Sequence, residues 1–192
     1  MLNPVFIIIG INVVIFIVVN ISSSLLVDLA LLAPLDVFIH YPWGIITSMF
    51  THQDFFHLLF NMLTLYFFGS YLLKMIGTKK FLIIYLAGGL VGGLFFVLLS
   101  TLISPGSIAA AIGASGAIFA LGGTLAVLMP QMKVYIMFIP VPVPLWVAVI
   151  GGCLIMSFFS GVAWEAHLGG LLFGLAAGFI IKRQRKQTYY YY

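Results

Sequence analysis

Long apolar runs separated by short polar breaks dominate this chain, and they predict a helical membrane protein. The runs cover about 4–22, 55–73, 81–103, 113–129, 142–159 and 164–181. A helix that crosses a bilayer needs about 20 mostly apolar residues, so each run is a candidate span. Pro140, Pro142 and Pro144 alternate before the fifth run, and we expect an extended segment over 134–144. The pattern predicts an all-α bundle of six transmembrane helices.

The segment 23–54, between the first two runs, is too polar to cross a membrane. It mixes acidic, proline and histidine residues with apolar ones. Tryptophan and tyrosine prefer the headgroup level of a bilayer, so we expect Tyr41 and Trp43 to lie there. The segment is therefore predicted to form a long outer loop of short interfacial helices and turns.

Composition supports one domain with the bilayer as its solvent. The chain is 64% hydrophobic and 6% charged, with a mean hydropathy of +1.25. We expect a single transmembrane domain over 1–182 and a basic, tyrosine-rich tail over 183–192 that is cytoplasmic and disordered. Cys153 is the only cysteine, which excludes an internal disulfide and a cysteine-rich metal site. Neither a cofactor, a metal nor a nucleic acid is expected to bind.

Charge predicts the orientation in the membrane. With six spans, one side carries every basic residue: Lys74, Lys79, Lys80, Lys133, Lys182, Arg183, Arg185 and Lys186. The other side carries every acidic residue: Asp28, Asp36, Asp54 and Glu165. Because basic loops stay in the cytoplasm, both termini are predicted to be cytoplasmic. The minimal chain, with no added domain or span, favours a bacterial cytoplasmic membrane.

Ser115 and His167 are the leading candidates for chemistry, because they are placed alike in two predicted spans. Ser115 lies fifteen residues before Pro130, where its run breaks, and His167 lies fifteen residues before Lys182. At ~1.5 Å per residue, both would lie ~22 Å from one membrane surface, within a hydrocarbon core ~30 Å thick. That depth is nearer the outer face. A hydroxyl and an imidazole matched in depth within lipid predict a nucleophile and its base.

Glycines around these two residues predict how they meet. Gly113 and Gly116 flank the serine and would let a substrate backbone approach its hydroxyl. Gly170 and Gly174 share the helix face of the histidine and form a stripe on which another helix can pack. The alternative is that the serine is only a small packing residue and the histidine only an interfacial side chain at a helix end.

His57 and Asn61 are a third candidate element. They are four residues apart and therefore project from one face of the second span. Together with the backbone N–H of Ser115, they could donate hydrogen bonds to a tetrahedral oxyanion. The alternative is a capped helix start with one polar packing residue.

The remaining titratable residues receive structural roles. Glu165 precedes His167 by two residues, which places it on the opposite side of the helix and favours a serine–histidine dyad over a triad. His40 and His52 belong to the predicted outer loop, where we expect them to hydrogen-bond loop backbone. Neither an HExxH nor an HxxxH pattern supports a metal site.

Together these motifs resemble the rhomboid family of intramembrane serine proteases over about residues 43–178. His57 and Asn61 look like the family's HxxxN motif. Gly113-Ala114-Ser115-Gly116 looks like its GxSG motif. Ala166-His167, followed by Gly170 and Gly174, looks like its AHxxGxxxG motif.

The resemblance implies a six-helix rhomboid bundle that hydrolyses peptide bonds of transmembrane protein substrates near the outer face. It implies Ser115 as nucleophile, His167 as general base, and a mobile fifth span that gates substrate entry. Some family members have a tyrosine that packs on the histidine, and Phe119 stands there in this chain. Many have Trp-Arg in the first loop, whereas Trp43 is followed here by Gly44.

Two other functions stay open at the level of sequence. A non-catalytic protein of the same fold could bind and route membrane proteins, but it would need neither Ser115 nor His167. A small transporter could line a path with His57, Asn61 and His167. Transport favours polar residues through the full depth of the bilayer, whereas the ionisable residues of the spans are confined here to the outer part.

Overall fold

The computed structural model describes residues 2–135, 140–159 and 161–189, with side chains as far as 185, and these residues are mostly helical. In chain order the helices are α1 (Pro4–Ile21), α2 (Ser24–Asp28), α3 (Leu35–Phe38), α4 (Gly44–Thr47), α5 (Phe55–Ile103), α6 (Ser115–Leu128), α7 (Leu145–Met156) and α8 (Trp164–Tyr189). A 3-10 turn, Ser48–Phe50, follows α4. The strands are β1 (Leu31–Ala33), β2 (Ala109–Ala111), β3 (Lys133–Val134) and β4 (Val143–Pro144).

The long helices fit a membrane. Among the described residues, three helices are long and apolar enough to cross a bilayer: α1, α5 and the Trp164–Arg185 part of α8. Helices α6 and α7 are apolar but shorter. The chain is therefore a helical membrane protein with long apolar helices, as its hydrophobic pattern predicts.

Helix α5 contains two of the predicted spans, 55–73 and 81–103, and is kinked between them. Gly77, with φ of 77° and ψ of 167°, is its one residue with non-helical backbone angles. A positive φ favours glycine, because a side chain would clash there. The lysines on either side of the kink are good helix formers and stay helical. The polar break that the sequence suggests is thus a sharp bend at one residue.

Two small antiparallel sheets are additions that the all-α prediction misses. Strands β1 and β2 pair Leu31 with Ala111 and Ala33 with Ala109, which ties the segment after α1 to the segment before α6. Strands β3 and β4 pair just before α7. Residues 136–139, within the stretch predicted to be extended, lie outside the described residues. Pairing satisfies backbone N–H and C=O groups that would otherwise be buried without partners.

Helix α6 lies at the centre of the bundle and packs on α8 through small residues. A Cβ added to Gly174 would collide with the carbonyl of Ala120. A Cβ added to Gly123 would lie 2.8 Å from the carbonyl of Leu171. Thr124 Oγ1 donates to the Gly174 carbonyl at 3.0 Å. Close backbone contact of this kind is how helices associate where the solvent is lipid.

The basic residues of α8 connect the ends of other helices. Lys182 Nζ donates to the Val127 carbonyl at 3.4 Å, and Arg185 donates to the Met75 carbonyl at 2.5 Å. Cations stabilise helix C-termini, where carbonyls lack partners. The helix continues to Tyr189, although the sequence predicts a disordered tail from 183. Lysine, arginine and glutamine are good helix formers, so they extend α8. Residues 190–192 lie outside the described residues.

Candidate active site

The side chains of Ser115 and His167 contact each other directly. His167 Nε2 lies 2.7 Å from Ser115 Oγ, although the residues are 52 positions apart in the chain. The imidazole is 4% exposed, and the hydroxyl is half-buried. A nucleophile and its general base require this distance.

Close packing of two helix beginnings brings the pair together. Ser115 is the first residue of α6, and His167 lies in the first turn of α8. Next to them, a Cβ added to Gly170 would collide with the carbonyl of Gly116. Glycine at both positions allows the two backbones to approach closely. The glycine-rich faces that the sequence singles out are therefore the faces in contact.

Phe119 supports the imidazole from the following turn of α6. The ring centroids of Phe119 and His167 are 4.7 Å apart, and their planes are inclined by 37°. Within the described ranges, the buried Nδ1 of His167 has no hydrogen-bond partner. Glu165 is half-buried in the same helical turn. The imidazole is thus oriented by Ser115 and an aromatic ring, with no carboxylate bonded to it in the described part of the chain.

His57 borders the turn that precedes Ser115. The Asp54 carboxylate accepts the backbone N–H of His57 at 2.9 Å and so caps α5. Gly113 has φ of 115°, a conformation that favours glycine. A Cβ at Gly113 would lie 2.7 Å from His57 Nε2 and 3.8 Å from Ser115 Oγ. The second imidazole and the serine hydroxyl therefore border the same small space.

Asn61 lies one turn further along α5 and is 8% exposed. Its amide nitrogen donates to the His57 carbonyl at 2.8 Å. An amide nitrogen carries two N–H groups, so one remains for another acceptor. Its Oδ1 is buried and has no hydrogen-bond partner among the residues that the structure describes. The structure thus brings Asn61 to the site, and its role as an oxyanion donor stays a prediction.

A cavity of about 430 Å³ connects these residues. Ser115, His167, His57, Asn61 and Gly113 all line it, together with small and apolar side chains. Its volume is in the range of pockets that bind small molecules. In the described ranges, no group of three or more His, Cys, Asp or Glu side chains could hold a metal ion. Ser48, Gln53 and the Asp54 carboxylate also line the cavity.

His52 joins the site from the segment before α5. Its hydrogen-bond partner lies outside the segment before α5, because the N–H of Ala114, directly before α6, donates to His52 Nε2 at 3.4 Å. The ring is 0% exposed and meets the His57 ring edge-on, with centroids 4.9 Å apart. Burial, reinforced by neighbouring His57, lowers the pKa of His52 to about 3. A neutral ring can accept a hydrogen bond at Nε2. His40, in contrast, is exposed.

Two further residues shape this site, and the sequence analysis did not assign them to it. Asp54 caps α5, and its signal was an acidic residue directly before an apolar run. The carbonyl of Ser48 accepts the Gly113 N–H at 2.8 Å. That contact joins two segments far apart in the chain, so no local pattern could reveal it.

A comparison with known protein families covers the residues of the candidate site. The family model of the Rhomboid domain matches residues 40–184, a range that contains His57, Asn61, Ser115 and His167. The chain belongs to the rhomboid family. The matched range begins within the segment between α1 and α5 and extends almost through α8.

Similar curated rhomboid proteins come from both mitochondria and bacteria. "Rhomboid protein 1, mitochondrial" of Saccharomyces cerevisiae is 34% identical over 154 residues, which cover 73% of this chain and 42% of the relative. "RHOMBOID-like protein 12, mitochondrial" of Arabidopsis thaliana is 32% identical over 157 residues, 73% of this chain and 47% of the relative. YdcA of Bacillus subtilis, described as a candidate rhomboid protease, is 28% identical over 148 residues, 77% of this chain and 71% of the relative.

The relatives correct the expected membrane, and some of them are much longer than this chain. The chain spans less than half the length of the yeast and Arabidopsis proteins that it matches. Because these relatives are mitochondrial, the similarity does not support the bacterial cytoplasmic membrane that the sequence analysis favoured. A short chain is a weak guide to its source, since the same domain occurs inside longer proteins. The coarser expectation of an integral, multi-pass membrane protein agrees with the family and with the long apolar helices.

Proposed function

We propose that this rhomboid protein is an intramembrane serine endopeptidase that hydrolyses peptide bonds in transmembrane protein substrates. The single observation that carries the proposal is the 2.7 Å contact between His167 Nε2 and Ser115 Oγ beside a cavity. A hydroxyl held this close to an imidazole, in surroundings from which water is largely excluded, is suited to nucleophilic attack.

In the first chemical step, Ser115 Oγ attacks the carbonyl carbon of the scissile bond. His167 Nε2 accepts the hydroxyl proton as the new C–O bond forms, and later gives that proton to the departing amine nitrogen. The Phe119 ring, 4.7 Å from the imidazole by ring centroids, keeps it directed at the hydroxyl. The step leaves an acyl group on Ser115, which water then hydrolyses with the same imidazole as base.

Negative charge that develops on the carbonyl oxygen is received by three donors. These are the backbone N–H of Ser115 and the side chains of His57 and Asn61. The N-terminus of α6 begins at Ser115, so its partial positive charge adds to this stabilisation. Gly113 keeps the approach open, because a Cβ there would occupy the space between the His57 ring and the Ser115 hydroxyl.

The proposed topology has six crossings with both termini in the cytoplasm. They are α1, the two parts of α5 on either side of Gly77, α6, α7 and α8. The cavity then opens toward the outer face, and the basic ends of the helices face the cytoplasm. The segment between α1 and α5 becomes the long outer loop.

The protease proposal is tested by cleavage of a reporter membrane protein with purified enzyme in detergent and in lipid vesicles. Wild type is expected to cleave the reporter, and both Ser115→Ala and His167→Ala are expected to be inactive. A fluorophosphonate probe should label wild type and not Ser115→Ala. Matched controls are Ser157→Ala and His40→Ala, which change a serine and a histidine that line no part of the cavity.

Cleavage by Ser115→Ala at the wild-type rate would remove the proposal. Absence of both probe labelling and cleavage in folded wild type would instead favour a non-catalytic rhomboid protein that binds membrane proteins. The topology has its own test, in which single cysteines at Lys79 and Ser107 are introduced into Cys153→Ser. A membrane-impermeant thiol reagent added outside oriented vesicles should label Ser107→Cys and spare Lys79→Cys.

A further inference from the structure

His52 is buried between the residue before Ser115 and the ring of His57. It is one of the largest fully buried side chains, with 0% of its surface exposed. Its Nε2 accepts the N–H of Ala114, the residue directly before Ser115. Its ring packs against the His57 ring in a T-shaped arrangement, at a centroid distance of 4.9 Å. One side chain therefore contacts one proposed oxyanion donor, His57, and the residue directly before another, the Ser115 N–H.

We propose that His52 is a positioning residue, which holds the Ala114–Ser115 backbone and the His57 ring in the arrangement that the reaction requires. This inference rests on the proposed protease function. His52 does not line the cavity, so it acts through its neighbours and not on the substrate.

The backbone before Ser115 depends on two contacts for its direction. The Gly113 N–H donates to the Ser48 carbonyl at 2.8 Å, and the Ala114 N–H donates to His52 Nε2 at 3.4 Å. Gly113 has a positive φ of 115°, so the chain turns sharply there. The peptide plane that follows determines where the Ser115 N–H points, and a donor must be aimed accurately to stabilise an oxyanion.

Two residues border the His57 ring. Gly113 lies so close that an added Cβ would be 2.7 Å from His57 Nε2. The buried His52 ring contacts the His57 ring, with the ring planes inclined by 66°. Asp54 holds the backbone of His57 at the helix start. Removing the His52 ring would let the His57 ring move away from the space that the oxyanion needs.

The role of His52 requires the neutral ring, with the proton on Nδ1 and the lone pair on Nε2 facing Ala114. The low pKa that burial produces keeps this form dominant at neutral pH. Two titratable groups face it, His57 and Asp54, and they act on its charge in opposite directions. The acceptor is thus constant under the conditions in which the reaction would run.

Three variants separate positioning from packing. His52→Phe keeps a ring of similar size and removes the acceptor, whereas His52→Gln places an amide oxygen near the position of Nε2. We expect kcat to fall about tenfold to a hundredfold in His52→Phe, with KM nearly unchanged, because small displacements of oxyanion donors are costly. His52→Gln should recover much of that loss. His40→Phe, at the exposed histidine of the same segment, is the control and should match wild type.

A small fluorophosphonate gives a readout that does not depend on docking of a protein substrate. Its phosphoryl oxygen must enter the same oxyanion site, so the labelling rate of His52→Phe should fall in parallel with kcat. If His52→Phe is active like wild type, or if Gln and Phe lose activity equally, the positioning role is wrong. A rise in KM with unchanged kcat would also overturn it. Failure of the protease function is distinct, because wild type itself would then neither cleave nor label.

Discussion

The hydroxyl of Ser115 and the imidazole of His167 satisfy each other in a place where a polar group without a partner is costly. Their 2.7 Å contact replaces hydrogen bonds to water that the bundle interior does not offer. Phe119 packs against the imidazole without adding a charge. In the proposed dyad, a single aromatic contact would take the place that a carboxylate holds in soluble serine proteases.

Phe119 provides a test of this orientation by an aromatic ring. Phe119→Leu keeps apolar volume but removes the ring face, so the imidazole gains freedom and we expect kcat to fall about tenfold. Phe119→Tyr keeps the ring and should stay close to wild type. Initial rates of reporter cleavage measure both variants, and equal activity of Leu and wild type would show that the ring contact does not matter.

Asn61 tests the third donor. Asn61→Ala is expected to lower kcat about 10²–10³-fold, the usual loss when one oxyanion donor is removed. Thr64→Ala is the matched control, because Thr64 hydroxyl donates to a carbonyl of the same helix without lining the cavity. Steady-state kinetics should show a change in kcat and little change in KM. If Thr64→Ala loses as much activity as Asn61→Ala, the loss comes from disturbance of α5 and not from the missing oxyanion donor.

At the scale of elements, the site exists because α6 and α8 approach each other to the distance of backbone contact. Small residues recur every three or four positions along both faces, and carbonyl groups of α6 lie over Gly170, Gly174 and Gly178 of α8. In lipid, where apolar side chains gain little from meeting each other, such packing and the Thr124 hydrogen bond carry the association. Helix α7 makes fewer close contacts, and neither Gly151 nor Gly152 has an atom near the position of a Cβ.

This contrast predicts opposite effects of the same substitution on two helices. Gly174→Ala would push a methyl group into the Ala120 carbonyl, and we expect it to lower the free energy of unfolding by about 1–3 kcal/mol. Gly152→Ala meets open space and should leave stability unchanged or raise it by up to about 1 kcal/mol. Denaturant-induced unfolding in mixed detergent micelles measures both. Comparable stability of the two variants would contradict the packing described for α6 and α8.

For the whole molecule, polarity is divided between two ends of one bundle. The candidate site lies where α6 and α8 begin, and the basic residues lie where they end, with Lys182 and Arg185 bonded to carbonyls of α6 and α5. The segment between α1 and α5 closes over the site end through β1, Ser48 and His52. The candidate site and the basic residues thus lie at opposite ends of the same fold.

Burial of His52 predicts a pH dependence of global stability. Its pKa is lowered from 6.5 to about 3 in the folded protein, mainly by burial. Between these values the unfolded chain binds a proton at His52 and the folded chain does not. His52 therefore does not lower the free energy of unfolding above pH 6.5, and lowers it progressively as the pH falls toward 3. Unfolding at about pH 7.5 and about pH 4.5 should therefore show a smaller decrease in His52→Phe than in wild type. An equal decrease in both proteins would contradict this assignment.

The sequence by itself determined the properties that depend on neighbouring residues. Apolar runs of sufficient length specify helices in lipid, so the helix positions and the membrane class could be predicted from hydropathy. Equal distances from the ends of two runs predicted the same depth for Ser115 and His167, and glycine spacing indicated which faces pack.

Only the tertiary structure decided what depends on contacts between distant segments. It placed His52 against Ala114, Ser48 against Gly113, and β1 against β2. It also showed that the polar break between the second and third runs is a bend at Gly77. Such contacts lie beyond local pattern because a buried polar group finds its partner anywhere in the fold, and the sequence carries no periodic signal for that choice.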